Sequence, residues 1–254
     1  MGQGIVGGGP AGLAMAEALA QRGIDVVVVD REAEAGGIPR LSHHRSFGLD
    51  LHRLLRGPEY ARRRVERALD AGAAIHTGVS VLGWQGDALS FTAPTGPGSI
   101  NATAVILATG CRERPRSARL VPGDRPAGVL TTGQLQQLVA VGATVGRRAV
   151  VVGAEHVSYS AALTLRGAGA EVVMVTPAPR HDTFATFALA MRALRVPLVR
   201  SAEVVGILGR SRVEAVQLAD GSTIECDTVV FTGGWVPDDE LARAAGIDLG
   251  PDPT

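Results

Sequence analysis

Three glycines near the start of the chain have the spacing of a phosphate-binding turn. Gly7, Gly9 and Gly12 follow a short apolar run at 4–6 and precede an Ala- and Leu-rich segment at 13–22. In this pattern the first glycine allows a tight turn, the second lets a pyrophosphate approach the backbone, and the third lets a helix pack closely on a strand. The N-terminus of that helix offers N–H donors and the positive end of its dipole to the phosphates.

An acidic residue follows at the place where a ribose needs a hydrogen-bond acceptor. Asp30 closes the β-branched run at 26–29, 18 residues after Gly12. A carboxylate at this distance accepts hydrogen bonds from ribose hydroxyls in dinucleotide-binding folds. The residues therefore predict a strand–turn–helix–strand unit that binds a dinucleotide, and the pattern alone leaves FAD and NAD as alternatives.

The same order of elements recurs in the second half of the chain. A Gly-, Thr- and Val-rich stretch that predicts an antiparallel meander also occurs in each half, at 77–104 and 203–225. The fold prediction is α/β, with two Rossmann-like three-layer dinucleotide-binding domains, the second inserted in the first. The repeated elements are a strand at 148–152, a turn from Gly153, a helix at 157–166 and strands at 171–175 and 227–232.

The composition argues against several mechanisms and partners. All 25 basic residues are Arg, which excludes a Schiff-base lysine and a P-loop lysine. A formal net charge of zero argues against nucleic acid as a partner. No apolar run approaches the ~20 residues of a membrane span. The six His lack metal-ligand spacing, and Cys111 and Cys226 form no C-x-x-C pair, so we predict no metal site and a reducing, cytoplasmic compartment.

Several segments resemble the FAD half of the flavoproteins with two dinucleotide-binding domains, the pyridine nucleotide-disulfide oxidoreductase superfamily. The resemblance is carried by residues 5–13, 36–37 and 108–110, and residues 227–233 are similar to the matching strand of the family's second half. It implies an FAD-binding domain at 1–118, with 235–254 returning towards it. It also implies an NAD(P)-binding-like domain at 119–234.

Two segments, 37–40 and 108–115, are similar to the FAD-bearing subunits of sarcosine oxidase, opine oxidase, hydroxyproline dehydrogenase and hydrogen cyanide synthase. This resemblance implies an FAD-dependent oxidoreductase subunit that oxidises the carbon–nitrogen bond of a small amine or amino acid through flavin. Two alternatives stay open. One is an NAD(P)H-dependent flavoprotein reductase, and the other is a truncated, non-catalytic domain that docks to a partner.

The resemblance also assigns residues to the cofactor. His43 and His44 follow the Gly-Gly turn, where the family's chain passes near the isoalloxazine; they are weak candidates for proton transfer, and polar loop residues are the alternative. The catalytic residue is otherwise unknown. The implied FAD contacts are Gly7, Gly9, Pro10, Ala11 and Gly12 for the pyrophosphate, Asp30 for the ribose, Arg31, Gly37 and Val79 for the adenosine and phosphate region, and Thr109 and Gly110 near the cofactor.

The sequence departs from the family in ways that bear on function. No cysteine pair is present, so disulfide reduction is not expected. The second turn keeps Gly153 but carries Glu155 and Ser158 where two further glycines belong, and a carboxylate at that place clashes with a phosphate and repels it. Thr176 replaces the ribose-binding acid, although Arg180 could hold a 2′-phosphate. We therefore regard NAD(P)H as a doubtful cofactor and predict a structural or partner-docking second domain.

The family's C-terminal segment returns to the flavin pyrophosphate and ribityl chain after the second domain. This sequence ends at Thr254. The expectation is either that the chain is a truncated or split product, or that a partner subunit or second polypeptide completes the flavin site around a small-molecule substrate. Arg112, Arg114, Arg116 and Arg119 could hold a phosphate or an acidic patch of a partner, or form a solvated loop. The basic residues at 62–67 are predicted as a solvated helix face.

Overall fold

The computed structural model describes residues 2–178 and 185–250. The chain divides into two compact units: unit 1 is Met1–Cys111 with Pro237–Thr254, and unit 2 is Arg112–Val236. The sequence predicted the divisions at 118/119 and 234/235. The segment at 111–125, which is rich in Pro and Arg, joins unit 2 because its own hydrogen bonds lie there. The N–H of Asp124, for example, donates to the carbonyl of Ile207 at 2.9 Å.

Unit 1 contains a four-stranded parallel sheet of order β5-β2-β1-β9. Its central register pairs Gln3 with Val26 and with Ala104. A separate antiparallel sheet has the order β6-β7-β8. The elements of the first segment are β1 (Gln3–Val6), α1 (Pro10–Ala20), β2 (Val26–Asp30), β3 (Arg45–Phe47), β4 (Leu55–Arg56), α2 (Gly57–Asp70), β5 (Ala74–Thr77), β6 (Ser80–Gln85), β7 (Ala88–Ala93), β8 (Gly96–Ile100) and β9 (Ala104–Leu107).

The core of unit 1 explains why these segments form three layers. On one face of the sheet, Ile5 and Val28 pack with Leu13 and Ala16 of α1 and with Ala68 of α2. Small Ala side chains let both helices approach the sheet closely. On the other face, Val6 and Val29 pack against Leu89 of the meander. Because both faces are covered, β2 is a continuous apolar run, as parallel strands require.

Unit 2 repeats this architecture around a five-stranded parallel sheet of order β11-β18-β12-β13-β14, and a second meander has the order β15-β16-β17. Its elements are β10 (Cys111–Glu113), which begins at the last residue of unit 1, β11 (Val129–Thr131), α3 (Thr132–Ala140), β12 (Arg148–Val152), α4 (His156–Gly167), β13 (Glu171–Val175), α5 (Ala185–Ala193), β14 (Leu198–Val199), β15 (Val204–Leu208), β16 (Ala215–Leu218), β17 (Thr223–Glu225), β18 (Thr228–Phe231) and β19 (Trp235–Pro237).

The two faces of this second sheet are again covered by different layers. Helices α3 and α4 contribute Leu135 and Leu165 to one core, where Val151 of β12 is also fully buried. Ile207 and Val216 of the second meander pack on the opposite face. The predicted α/β class with two Rossmann-like, three-layer halves is thus confirmed.

The chain returns to unit 1 through α6 (Glu240–Ala244). The indole Nε1 of Trp84 in β6 donates a hydrogen bond to the carbonyl of Leu241 at 2.9 Å. This bond fixes the returning segment on the meander of unit 1. In the described part of the chain, no helix has the length and apolarity that crossing a bilayer requires.

Candidate functional site

The first glycine turn lies at the carboxyl end of β1, where the parallel sheet of unit 1 opens. Gly7 has φ 109°, a left-handed conformation in which side chains are strained. A Cβ at Gly7 would overlap the carbonyl oxygen of Ala108, and one at Gly12 would overlap the carbonyl oxygen of Gly7 itself. Both positions therefore need glycine, because a side chain at either one would push apart backbone segments that are in contact.

Gly9 is different, because nothing in the protein crowds it. A Cβ at Gly9 would have no heavy atom within 4 Å. Gly9 is also the N-cap of α1, and no side-chain hydrogen bond caps this helix; Pro10, which has no N–H, is its first residue. The first turn of α1 thus begins beside open space at Gly9, at the positive end of the helix. This arrangement fits the pyrophosphate of a dinucleotide.

Asp30 ends β2 beside this turn. Its Oδ2 accepts a hydrogen bond from the N–H of Gly8 at 2.6 Å, and its Oδ1 accepts one from the N–H of Glu32 at 2.8 Å. A carboxylate has about four acceptor sites, so each oxygen keeps capacity for another donor. The two backbone bonds hold the carboxylate in place, and its remaining acceptor capacity suits ribose hydroxyls.

The Gly36–Gly37 pair packs on the first glycine turn. The N–H of Gly36 donates to the carbonyl of Gly8 at 2.7 Å, and a Cβ at Gly37 would lie 2.9 Å from the Cα of Gly9. Val79 is held by a bond from its N–H to the carbonyl of Asp30 at 2.9 Å. Arg31 instead carries an exposed side chain that pairs with Glu32 at 3.6 Å. The structure therefore brings Gly37 and Val79 to this edge and leaves the Arg31 guanidinium in solvent.

Thr109 and Gly110 follow β9, the strand next to β1. The hydroxyl of Thr109 donates to the carbonyl of Asp238 at 2.6 Å, and the N–H of Asp238 donates to the carbonyl of Gly110 at 3.0 Å. Their neighbour Ala108 contacts Gly7, so this strand end lies beside the glycine turn. These two residues hold the returning segment of the chain at that edge.

The two candidate histidines have unequal surroundings. His43 is exposed, whereas His44 is half-buried. The Nδ1 of His44 lies 2.6 Å from the hydroxyl of Ser46, and its ring stacks on Phe47, which in turn stacks on Tyr60. Burial lowers the pKa of His44. The neutral imidazole of His44 is thus the form favoured at neutral pH.

The basic face of α2 is not wholly solvated, which corrects the sequence prediction. Arg64 and Arg67 both bind the carboxylate of Glu17 on α1, at 3.3 Å and 2.5 Å. Arg64 also binds Asp50, which accepts a further hydrogen bond from Tyr60 at 3.0 Å. Burial alone would raise the pKa of Asp50, but these hydrogen bonds outweigh it and lower that pKa. The sequence feature that could have revealed this network is Glu17, the one acidic residue in the apolar helix α1, because a buried carboxylate needs a cationic partner.

The second turn is already occupied by a side chain of the protein. Glu155 is the N-cap of α4 and forms a capping box with Ser158, whose hydroxyl accepts the N–H of Glu155 at 3.1 Å. A Cβ at Gly233 would overlap the Glu155 carboxylate. The negative charge therefore sits at the helix terminus where a phosphate would bind, as the sequence indicated.

Ser158 also binds the sheet of unit 2. It is fully buried and shares a hydrogen bond of 2.7 Å with the hydroxyl of Thr232. The Thr232 hydroxyl donates to the carbonyl of Val152 at 2.8 Å, so Ser158 is the donor to Thr232. This chain of bonds links α4 to the ends of β12 and β18. A glycine at 158, as in the phosphate-binding pattern, would pack closely there but would form no side-chain hydrogen bond.

Arg119 binds the backbone that follows β18 in unit 2. Its guanidinium donates to the carbonyls of Thr232, at 2.8 Å, and Gly233, and lies over the Phe231 ring. Burial lowers its pKa, and the carboxylates of Glu113 and Glu155 partly offset that effect. Thr176 is buried with its hydroxyl bonded to the N–H of Ala178 at 3.2 Å. Arg180, proposed for a 2′-phosphate, lies outside the described residues.

The comparison with family models identifies the class. Residues 4–253 match the pyridine nucleotide-disulphide oxidoreductase model. The chain belongs to this family of FAD-dependent oxidoreductases, so it is an oxidoreductase and FAD is its cofactor. The open turn at α1 fits that cofactor, whereas the second turn, filled by Glu155, does not fit a second dinucleotide.

Individual relatives show how wide the family is. The chain is 28% identical to a subunit of opine oxidase from Agrobacterium tumefaciens, over 96% of this chain and 54% of that protein. It is also 28% identical to the ferredoxin reductase component of chlorobenzene dioxygenase of Cupriavidus sp., over 96% of this chain and 60% of that protein. The chain thus spans a little over half the length of these relatives.

A solved structure shows the same fold at lower identity. Thioredoxin reductase of T. acidophilum superimposes with a TM-score of 0.77 and 21% identity, over 98% of this chain and 81% of that one. The described part of this chain holds two free cysteines, Cys111, which is exposed, and Cys226, which is buried. Burial raises the pKa of Cys226 to about 11, so this thiol is protonated at neutral pH.

Proposed function

We propose that this chain is the FAD-bearing subunit of an enzyme that oxidises the carbon–nitrogen bond of a small amine or amino acid. The observation that carries the proposal is the contrast between two equivalent helix termini. The N-cap residue of α1 is Gly9, which has no side chain, whereas the N-cap residue of α4 is Glu155, which places a carboxylate at that terminus. A flavin bound in unit 1 would therefore receive electrons from an organic substrate and not from NAD(P)H in unit 2.

In this proposal the glycine turn and its surroundings bind the cofactor. The N–H groups of Ala11 and Gly12 bind the pyrophosphate, and the Asp30 carboxylate binds the ribose. Gly37 packs against Gly9, and this close contact leaves no room for a side chain at position 37. Arg31 contributes charge from solvent at most, since its side chain is exposed.

FAD supplies a ring that accepts a hydride from a carbon next to nitrogen. The chain's own residues position the cofactor and handle the proton. His44 is the better of the two proton acceptors, because its ring is held by Phe47 and Ser46 and burial keeps it neutral. A neutral imidazole can take the proton of a substrate ammonium and leave the amine that is oxidised.

A partner polypeptide and a reducing cytoplasmic location are part of the same proposal. The opine oxidase relative is by its name one subunit of an enzyme, and it aligns with nearly all of this chain. The two cysteines are consistent with a reducing compartment.

The second candidate is an NAD(P)H-dependent flavoprotein reductase. It is favoured by the match to the ferredoxin reductase component, which covers 96% of this chain. In that case NAD(P)H would have to displace the Glu155 carboxylate or bind elsewhere.

Cofactor binding is tested with a matched pair of glycine variants. Gly9→Val places a side chain where the phosphate approaches, and Gly83→Val places one in β6, where a Cβ is equally uncrowded. FAD titrations should show Gly9→Val at least about tenfold weaker, because the phosphate loses its backbone donors. Gly83→Val should match the wild type. Equal affinity for all three would contradict the assignment.

The electron donor is tested by anaerobic reduction of the FAD-loaded protein. Separate samples receive NADH, NADPH, secondary amines and amino acids, and bleaching of the visible flavin band is followed. The proposal expects bleaching by a compound with an oxidisable carbon–nitrogen bond and none by NADH or NADPH. Rapid bleaching by NADH or NADPH would establish the reductase instead.

A further inference from the structure

A cavity of about 250 Å³ lies in unit 2 beside the first turn of α3. Two of its lining residues are arginines, Arg116 and Arg125, and none is Asp or Glu. All of its lining residues belong to unit 2, whereas the glycine turn belongs to unit 1. We propose that this cavity binds the anionic oxygen group, phosphate or carboxylate, of a small molecule.

Arg116 provides a fixed positive charge. Its guanidinium donates to the carbonyls of Val121 at 3.0 Å, Pro122 at 2.6 Å and Asp124. These acceptors are neutral, so they hold the group without cancelling its charge. Burial lowers the pKa of Arg116, the nearby charge of Arg125 lowers it further, and Asp124 offsets this in part.

Arg125 provides a charge that the protein does not use. Its exposed side chain makes no hydrogen bond or ion pair with any residue in the described ranges. The adjacent carboxylate of Asp124 is engaged elsewhere, since its Oδ2 accepts the N–H of Gly209 at 3.0 Å. Two guanidinium groups thus share a concave surface, and an anion between them would relieve their repulsion.

The remaining walls define the size and polarity of the ligand. Thr131 and Gln134 form the capping box of α3, and the N–H of Gly133 in the same turn donates to the Glu113 carboxylate at 2.9 Å, so the positive charge of the cavity comes from the two arginines and not from this helix end. Ser117 offers a hydroxyl, and Val129 and Leu130 form an apolar wall. The cavity therefore suits a compact molecule with one oxyanion group and a small apolar body.

The test is calorimetric titration of the FAD-loaded protein with inorganic phosphate and with propionate at constant ionic strength. Saturating FAD keeps the added anions out of the glycine turn of unit 1. Arg125→Ala removes the unpartnered charge. Arg192→Ala is the matched control, because Arg192 does not line the cavity and is exposed in α5 of the same unit, whose neighbours in sequence, β13 and β14, lie at the edge of the sheet opposite β11. Thermal melting verifies that both variants fold.

Saturable binding of either anion to the wild type is expected, weakened at least about tenfold in Arg125→Ala, as loss of a charge-assisted hydrogen bond implies. Arg192→Ala should bind within about twofold of the wild type, as expected for a distant exposed charge. Binding of phosphate alone identifies a phosphate ligand, and binding of propionate alone a carboxylate. No saturable binding to the wild type, or equal weakening in both variants, would overturn the proposal.

Discussion

Replacing Glu155 with glycine tests whether one carboxylate closes the second dinucleotide turn. The variant carries Gly153, Ala154 and a glycine at 155, which restores the first two glycines of the phosphate-binding pattern. Glu155→Gln is the companion variant, since it removes the charge and keeps the bulk. Together they separate electrostatic repulsion from steric exclusion.

The size of both effects follows from Coulomb's law and from the usual contribution of a helix cap. A carboxylate about 4 Å from one phosphate charge is repelled by about 1–4 kcal/mol at an effective dielectric constant of about 80 to 20. Removing the charge should therefore lower the Kd for NADH by about 5- to 1000-fold. The same change removes the cap of α4, at a cost of about 1–2 kcal/mol in unfolding free energy. For a chain of this size, Tm should fall by about 2–8 °C.

The assay is a fluorescence titration of NADH into the wild type, Glu155→Gly, Glu155→Gln and a control, Glu203→Gln. Glu203 is an exposed carboxylate of the same unit. Affinity should rise in Glu155→Gln and rise further in Glu155→Gly, while Glu203→Gln stays at the wild-type value. Tight binding of NADH to the wild type with no gain in Glu155→Gly would refute the reasoning.

Three further results are expected. Gly12→Ala should lower the unfolding free energy by about 1–3 kcal/mol, because the added Cβ would press on the carbonyl of Gly7. Gly9→Ala should change the unfolding free energy little, because Gly9 has open space around it. Urea denaturation compares the two variants, and equal losses would contradict the packing argument. Ser158→Ala should lower the unfolding free energy by about 1–3 kcal/mol, because it removes the hydrogen bonds to Thr232 and Glu155. An unchanged Tm would show that these two bonds make no net contribution to stability. Burial holds the pKa of His44 below its ordinary 6.5, so the unfolded chain binds the proton first and stability should fall as pH drops from 6.5 towards the lower folded pKa. His44→Asn should flatten that decline in urea melts at several pH values, and an identical slope in both proteins would show that His44 does not cause it.

Much of the first site was predictable because it depends on residues close together in sequence. The turn from Gly7 to Gly12, the strand before it and the acid that ends β2 are set by local backbone sterics and by periodic hydrophobicity. Glu155 could be interpreted in the same way, because an N-cap acts on N–H groups only a few residues away. The repeated order of strands and helices followed from the same local patterns.

Other features depend on residues that only the tertiary structure brings together. Arg64 became part of a partly buried ion-pair network because α1 and α2 pack side by side, which places Glu17 next to it. Arg119 binds the carbonyls of residues 232 and 233, and Arg125 is left beside Arg116 because Asp124 is bound by Gly209. Charge and residue type are visible in a sequence, but the partner of a long side chain is decided by packing between distant segments, and that packing determines whether an arginine is structural or available to a ligand.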